Sequence, residues 1–172
     1  ATGSSAVTAH QSVALVGDIP SGGTLVIEGV GCSYNTTVTA AGPVTSAGSI
    51  VLTSGGCGGT AATLATGGTF RNEGTVTAAP GTGGTRTIDA PLVENTGTLH
   101  LQTGAPITVS GDLDLGSGGT LLVDVDGVGA TGRVAVGGAL GFGGTLETVT
   151  SFVPTYGTTF PIATYGSGSG TF

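Results

Sequence analysis

A five-residue phrase returns along this chain at nearly constant spacing, and few folds can accommodate such a pattern. The phrase is Gly, then Thr or Ser, then an aliphatic residue, then a variable one, then usually another apolar residue. It reads Gly23-Thr24-Leu25-Val26-Ile27 first, then Gly48-Ser49-Ile50-Val51-Leu52 and Gly74-Thr75-Val76-Thr77-Ala78. It continues as Gly97-Thr98-Leu99-His100-Leu101, Gly119-Thr120-Leu121-Leu122-Val123 and Gly144-Thr145-Leu146-Glu147-Thr148. From Gly23 to Gly144, every step between opening glycines falls in the twenties. Gly170-Thr171-Phe172 begins the phrase once more after a step of the same size. A period in the twenties is the mark of a stacked-repeat protein.

Between these phrases lie two more short apolar stretches per repeat. The second follows about a dozen residues after the first: Thr37-Val38-Thr39, Thr63-Leu64-Ala65, Thr87-Ile88-Asp89, Thr108-Val109-Ser110 and Arg133-Val134-Ala135-Val136. The third precedes the next glycine: Pro43-Val44, Thr69-Phe70, Leu92-Val93, Leu113-Asp114-Leu115 and Ala139-Leu140. Strands this short cannot bury a face alone, but coil stacked on coil they form three parallel sheets around one core. Alternation assigns the faces. Leu25, Ile50, Val76, Leu99, Leu121 and Leu146 form one inward column, with Phe172 as its next member. Ile27, Leu52, Ala78, Leu101 and Val123 form a second. Val26, Val51, Thr77, His100, Leu122 and Glu147, between them, face outward. The expected fold is all-β: a single parallel β-helix of six to seven coils, right-handed by the usual chirality of parallel crossovers. Residues 1–22 read as an irregular first coil, 23–143 as regular coils and 144–172 as an aromatic-rich last coil. The unfinished phrase at 170–172 suggests a segment of a longer array flanked by neighbouring domains.

The cysteines obey the same register. Cys32 lies nine residues after Gly23, and Cys57 lies nine after Gly48. Equivalent positions on adjacent coils stack at about 4.8 Å, inside the Cα separation a disulfide accepts. A Cys32–Cys57 bridge is therefore expected, and with it an oxidising compartment. An immunoglobulin-like sandwich also has short strands and glycine-rich turns, but explains neither the period nor the cysteine spacing.

Composition narrows the functional classes. The chain has 36 Gly in 172 residues without a Gly-X-Y triplet, which excludes collagen. Met, Trp and Lys are absent, and the net charge is −7 against only three Arg. Such a chain cannot neutralise a run of phosphates, so nucleic-acid binding is disfavoured. It offers no polybasic segment and no apolar window long enough for a membrane span. The opening Ala1-Thr2-Gly3-Ser4, without an initiator Met, suggests a mature or excised protein.

Several motifs point to one family. These are the Gly-Thr-Leu strands, the Asn-x-Gly turns at Asn72-Glu73-Gly74 and Asn95-Thr96-Gly97, the run at 81–88, and the aromatic segment from Tyr156 to Phe172. Together they resemble the β-helical repeats of bacterial surface proteins, such as autotransporter passenger domains and filamentous-haemagglutinin-like adhesins. The resemblance covers the chain from about residue 23 onward. It implies an extracellular or cell-surface location and a role in adhesion or spacing.

Candidate sites are sparse. Thr24, Ser49, Thr75, Thr98, Thr120 and Thr145 form one outward ladder, and Thr37, Thr63, Thr87 and Thr108 another. Such ladders could meet ice or an extended glycan, but Thr also simply suits exposed strand positions. Asp89, in the column beside the second ladder, breaks the regularity an ice-binding face needs. Asp112/Asp114 and Asp124/Asp126 are carboxylate pairs on one strand face. Asp124-Val125-Asp126-Gly127 is the better Ca²⁺ candidate, as hard oxygen ligands beside a glycine turn. Solvated surface acids are the plainer reading. Tyr34, Tyr156 and Tyr165 are candidate sugar-stacking residues, although the aromatics near the end equally suit a core plug. His10 and His100 stand alone, with no nucleophile or metal-ligand spacing around them. No catalytic residue is assigned. The expected role is a stalk or display module, with a polysaccharide-binding module as the alternative and a polysaccharide-degrading enzyme as the third reading.

Overall fold

The computed structural model describes residues 4–172. It is a β-solenoid of three parallel sheets, with no helix among the described residues. The first sheet stacks Ser5–Ala9, Gly23–Gly29, Ser49–Ser54, Thr75–Ala78, Thr98–Leu101, Thr120–Gly127 and Thr145–Thr150. The second stacks Ser12–Ala14, Thr36–Ala40, Ala62–Thr66, Arg86–Asp89, Ile107–Val109, Val134–Val136 and Ala163–Thr164. The third stacks Val44–Ser46, Phe70–Asn72, Leu92–Asn95, Asp112–Leu115, Ala139–Phe142 and Ser167–Gly170. The first coil belongs to the stack as well: Ser5–Ala9 pairs with Gly23–Ile27, Ser12–Ala14 with Thr37–Thr39, and Ile19 bridges Ser46.

Register follows the repeated phrase. Leu25, Ile50, Val76, Leu99, Leu121 and Leu146 are successive partners, as are Ile27, Leu52, Ala78, Leu101 and Val123. Val38, Leu64, Ile88, Val109 and Val136 supply the core from the second sheet. Val44, Phe70, Val93, Leu113 and Leu140 supply it from the third. Burial alternates residue by residue along the regular strands, which is the period-two pattern of a sheet covered on one side.

The phrase opens on glycine for a packing reason. A Cβ on Gly74 would overlap the carbonyl oxygen of Gly48 below it, and one on Gly97 would overlap that of Gly74. Coils descend through this corner backbone on backbone, so only a residue without a side chain lets them approach at strand spacing.

Phe172 does not extend the Leu25 column. Ser167–Gly170 pairs with Ala139–Phe142, placing Gly170 opposite Phe142. Counting on, Phe172 falls opposite Gly144, two positions short of Leu146. Its ring instead meets the edge of Phe142, with centroids 5.5 Å apart. Phe142 also takes Tyr165 edge-on, and Phe152 pairs with Phe160 at 5.9 Å. Phe142, Phe152 and Phe160 pack against the core, the plug arrangement that suits aromatic rings at a solenoid end.

The asparagines of the Asn-x-Gly motifs point inward. Asn72 and Asn95 are buried neighbours on the third sheet, and Asn72 Nδ2 donates to Asn95 Oδ1 at 2.7 Å. Asn72 also donates to Thr98 O, and Asn95 donates to Gly97 O and Thr120 O. Where the third sheet turns into the next coil's first, inward carbonyls need donors, and a short amide ladder provides them.

Cys32 and Cys57 form a disulfide, with Cα atoms 4.8 Å apart. It lies on the exposed corner between the first and second sheets, not in the core. Breaking it should lower the unfolding free energy by about 3 kcal/mol, through the entropy of the freed loop. The native far-UV circular dichroism should not change. Thermal melts of the Cys32→Ser/Cys57→Ser double variant check this, and an unchanged melting temperature would contradict it.

Candidate functional site

The residues singled out for chemistry lie on outward columns and corners. Tyr34 sits exposed on the corner beside the disulfide, and Tyr156 is fully exposed on the segment after Thr150. Tyr165 is half-exposed with its ring against Phe142. Tyr34 belongs to the second coil, and Tyr156 and Tyr165 to the seventh. Five coils at about 4.8 Å each separate them by roughly 24 Å along the axis. The structure therefore does not bring the three together on one stacking platform.

Asp124 and Asp126 share the outward face of Thr120–Gly127. Asp124 accepts a hydrogen bond from His100 Nε2 at 2.9 Å. Asp126 is exposed, and the nearby Thr103 and Ser151 hydroxyls hold its carboxyl below the ordinary aspartate range, while the Thr103 hydroxyl donates to Asp124 O at 3.4 Å. The Asp124 carboxylate is thus engaged by a side chain of the adjacent coil. Among the described residues, no three His, Cys, Asp or Glu side chains are grouped so as to hold a metal ion. In the other pair, Asp112 Oδ1 accepts from the Ala139 amide at 2.7 Å.

Neither histidine stands alone. His10 Nε2 lies 3.1 Å from Glu28 Oε2, one coil up, as His100 lies by Asp124. The first pairing is hidden in sequence because the first coil is shorter than the rest. Ser5 already meets Gly23, an advance that the glycine phrase does not reveal. Both are outward side-chain contacts between adjacent coils.

The threonine ladders are in register. Thr24, Ser49, Thr75, Thr98, Thr120 and Thr145 are successive partners along the first sheet. In the second sheet the ladder runs from Ser12 through Thr37, Thr63, Thr87 and Thr108 to Ala135 and Thr164. Asp89 stands in the column beside it, after Thr39 and Ala65. The cations differ in kind. Arg71 is an exposed outward residue bound to Glu73 and Glu94, whereas Arg86 is only 1% exposed and bonded to carbonyls.

Coil length varies at the corner between the first and second sheets. Gln102 to Pro106 cross it in the fifth coil, a shorter path than Ala79 to Thr85 in the fourth. In the sixth coil the strand runs on into a hairpin, with Val125 opposite Thr131 and Gly127 opposite Ala130. The short loop is left recessed beside the hairpin, and a hollow of about 360 Å³ opens there. Comparison with protein-family models, with curated proteins and with solved structures finds no match for this chain.

Proposed function

We propose that this chain is a structural β-solenoid module of a secreted or cell-surface bacterial protein, serving as a stalk or display segment. The observation that carries the reading is the unbroken register of three parallel sheets through successive coils. The strands of each coil pair with those of the coils beside it, so the array supplies length and stiffness. The exposed disulfide supports an oxidising environment. Acids and histidines spent on coil-to-coil pairs support a role without turnover. A carbohydrate-binding module resting on Tyr34, Tyr156 and Tyr165 draws less support, because the three rings share no surface.

Whole-cell labelling with an antibody against this segment, combined with negative-stain imaging of the intact parent protein, tests the proposal. The expected result is labelling without permeabilisation, and a rod in which this segment lies in line with its neighbours. Labelling only after permeabilisation would overturn the surface assignment. Release of sugar from a polysaccharide by the purified chain would overturn the structural role.

A further inference from the structure

The two ends of the solenoid match each other. At one end, Ser5–Ala9 pairs with Gly23–Ile27 on one edge and, among the described residues, with nothing on the other. Ser12–Ala14 is likewise open on its outer edge. At the other end, Thr145–Thr150, Ala163–Thr164 and Ser167–Gly170 each pair on one side alone. Edges of this kind present free N–H and C=O groups to a further strand running the same way.

The core is open at both ends as well. Val7 heads the inward column of Leu25 and Leu146 closes it, yet these two are 61% and 37% exposed, whereas the members between them are buried. In the second sheet Val13 lies against Val38, and Tyr165 follows Thr164 into the column of Val136; both are exposed. A hollow of about 490 Å³ opens at the first coil, lined by Val7, Val13, Leu15, Ile19 and Leu25. The last coil instead presents rings, with Tyr165 and Phe172 each meeting Phe142 at an edge. One end is an apolar socket and the other an aromatic knob.

Charge repeats the match. His100 and Asp124 occupy neighbouring outward columns of consecutive coils: His100 is opposite Leu122, Asp124 lies two residues on, and the side chains meet at 2.9 Å. Glu147 continues the His100 column in the last coil. It is exposed and, among the described residues, makes no ion pair. Thr8 begins that same column in the first coil, opposite Val26, and His10 lies two residues on. A first coil laid in register on a last coil therefore sets His10 by Glu147 on the same diagonal, with acid and imidazole exchanged. His10 then stands between Glu147 and its own Glu28.

We infer that the first coil is a docking surface for the last coil of a second copy of this chain, joined head to tail. Val7 then stacks on Leu146 and Val13 on Tyr165, the rings enter the socket, and strands pair in parallel across the joint. The joint repeats the coil-to-coil contact inside the chain. It is heterologous, so each addition leaves a new free end and the product is a linear series. Joining like ends offers neither match, because it sets socket on socket or ring on ring. A small apolar molecule would fill the hollow but leave the strand edges unpaired. The inference concerns the ends and does not rest on the stalk reading.

Sedimentation velocity of the purified 172-residue chain over a concentration series tests it. The chain should form a ladder of linear oligomers that lengthens with concentration. Val7→Lys should block the first-coil end and Leu146→Lys the last-coil end, each weakening association about tenfold or more. Both residues are exposed, and circular dichroism of each variant reports whether the fold survives. Each variant keeps one intact end, so an equimolar mixture of the two should form heterodimers and stop there. Glu147→Lys should weaken association severalfold. Thr108→Lys, on the exposed outward face of the fifth coil, should leave it unchanged. A monomer at every concentration up to about 1 mM would overturn the inference. So would a closed dimer, a mixture of the two end variants that stays monomeric, or a loss in Thr108→Lys equal to that in Val7→Lys.

Discussion

Replacing Arg86 with Met lowers the unfolding free energy by about 3–5 kcal/mol, among the largest effects expected of any single substitution in this chain. Arg86 sits in an inward column of the second sheet, between Ala62 and Ile107. Small Ala62 leaves room for the long side chain. Its Nε donates to Ala79 O at 3.1 Å, and its Nη1 to Gly83 O and Gly84 O at 2.8 and 2.9 Å. Nη2 donates to Ser54 Oγ at 3.2 Å. Among the described residues no carboxylate neutralises it, and burial pushes the guanidinium pKa below its ordinary value. One planar fork thus satisfies carbonyls of the 79–85 corner that no strand ladder reaches. Methionine keeps much of the volume and removes the buried charge, yet strands Ala79 O and Gly84 O, while Gly83 O keeps the Ser54 hydroxyl; stranded buried acceptors cost about 1–3 kcal/mol each. Lysine keeps the charge but lacks the fork, so Arg86→Lys should recover only part of the loss. Denaturant titration measures both, and hydrogen exchange should show residues 79–85 opening first. A methionine variant as stable as the parent would mean that the charge costs more than its bonds return.

Phe70→Ala should cost a comparable amount, about 3–5 kcal/mol, for a different reason. Phe70 is the largest wholly buried apolar side chain, at 0% exposure, stacked between Val44 and Val93. Coils above and below are fixed by backbone ladders on all three sheets, so the cavity left by the ring cannot collapse. Phe70→Leu fills much of that space and should cost far less. Val128→Ala, on the exposed turn of the sixth-coil hairpin, should change stability by under about 0.5 kcal/mol. Equal losses at Phe70 and Val128 would mean that the core does not govern unfolding.

Much of the fold is legible in the residues, because the Gly-Thr-aliphatic phrase marks the same point of every regular coil. That point sets the columns of the first sheet and pairs Cys32 with Cys57. Legibility ends where side chains break the polarity rule or the coil changes length. Asn72 and Asn95 read as turn residues, and nothing in the sequence sets Arg86 apart from the other two arginines. All three turn inward because corner carbonyls lie within the core and need donors, a demand that arises only once the coil is closed. Phe172 misses its expected column because residues 151–162 make the last corner longer than the others, so counting from one glycine to the next overshoots the true register by two. The hollow beside the sixth-coil hairpin is invisible in sequence for a related reason. It arises from the difference between two neighbouring corner lengths, and neither segment carries a motif of its own.

The coil-on-coil register also sets how the chain finds its fold. In the first sheet Ser5 pairs with Gly23, then Thr24 with Ser49, Ser49 with Thr75 and Thr98 with Thr120, so partners stay close in sequence throughout. A typical contact spans about 24 residues, or roughly 0.14 of the chain, a value ordinary for mixed α/β domains and low for an all-β one. Only the first closed coil bears the full entropy of ordering without a neighbour to pack on. Each later coil closes a loop of the same modest size against a finished template, so the kinetic barrier is set by one nucleus and not by the length of the array.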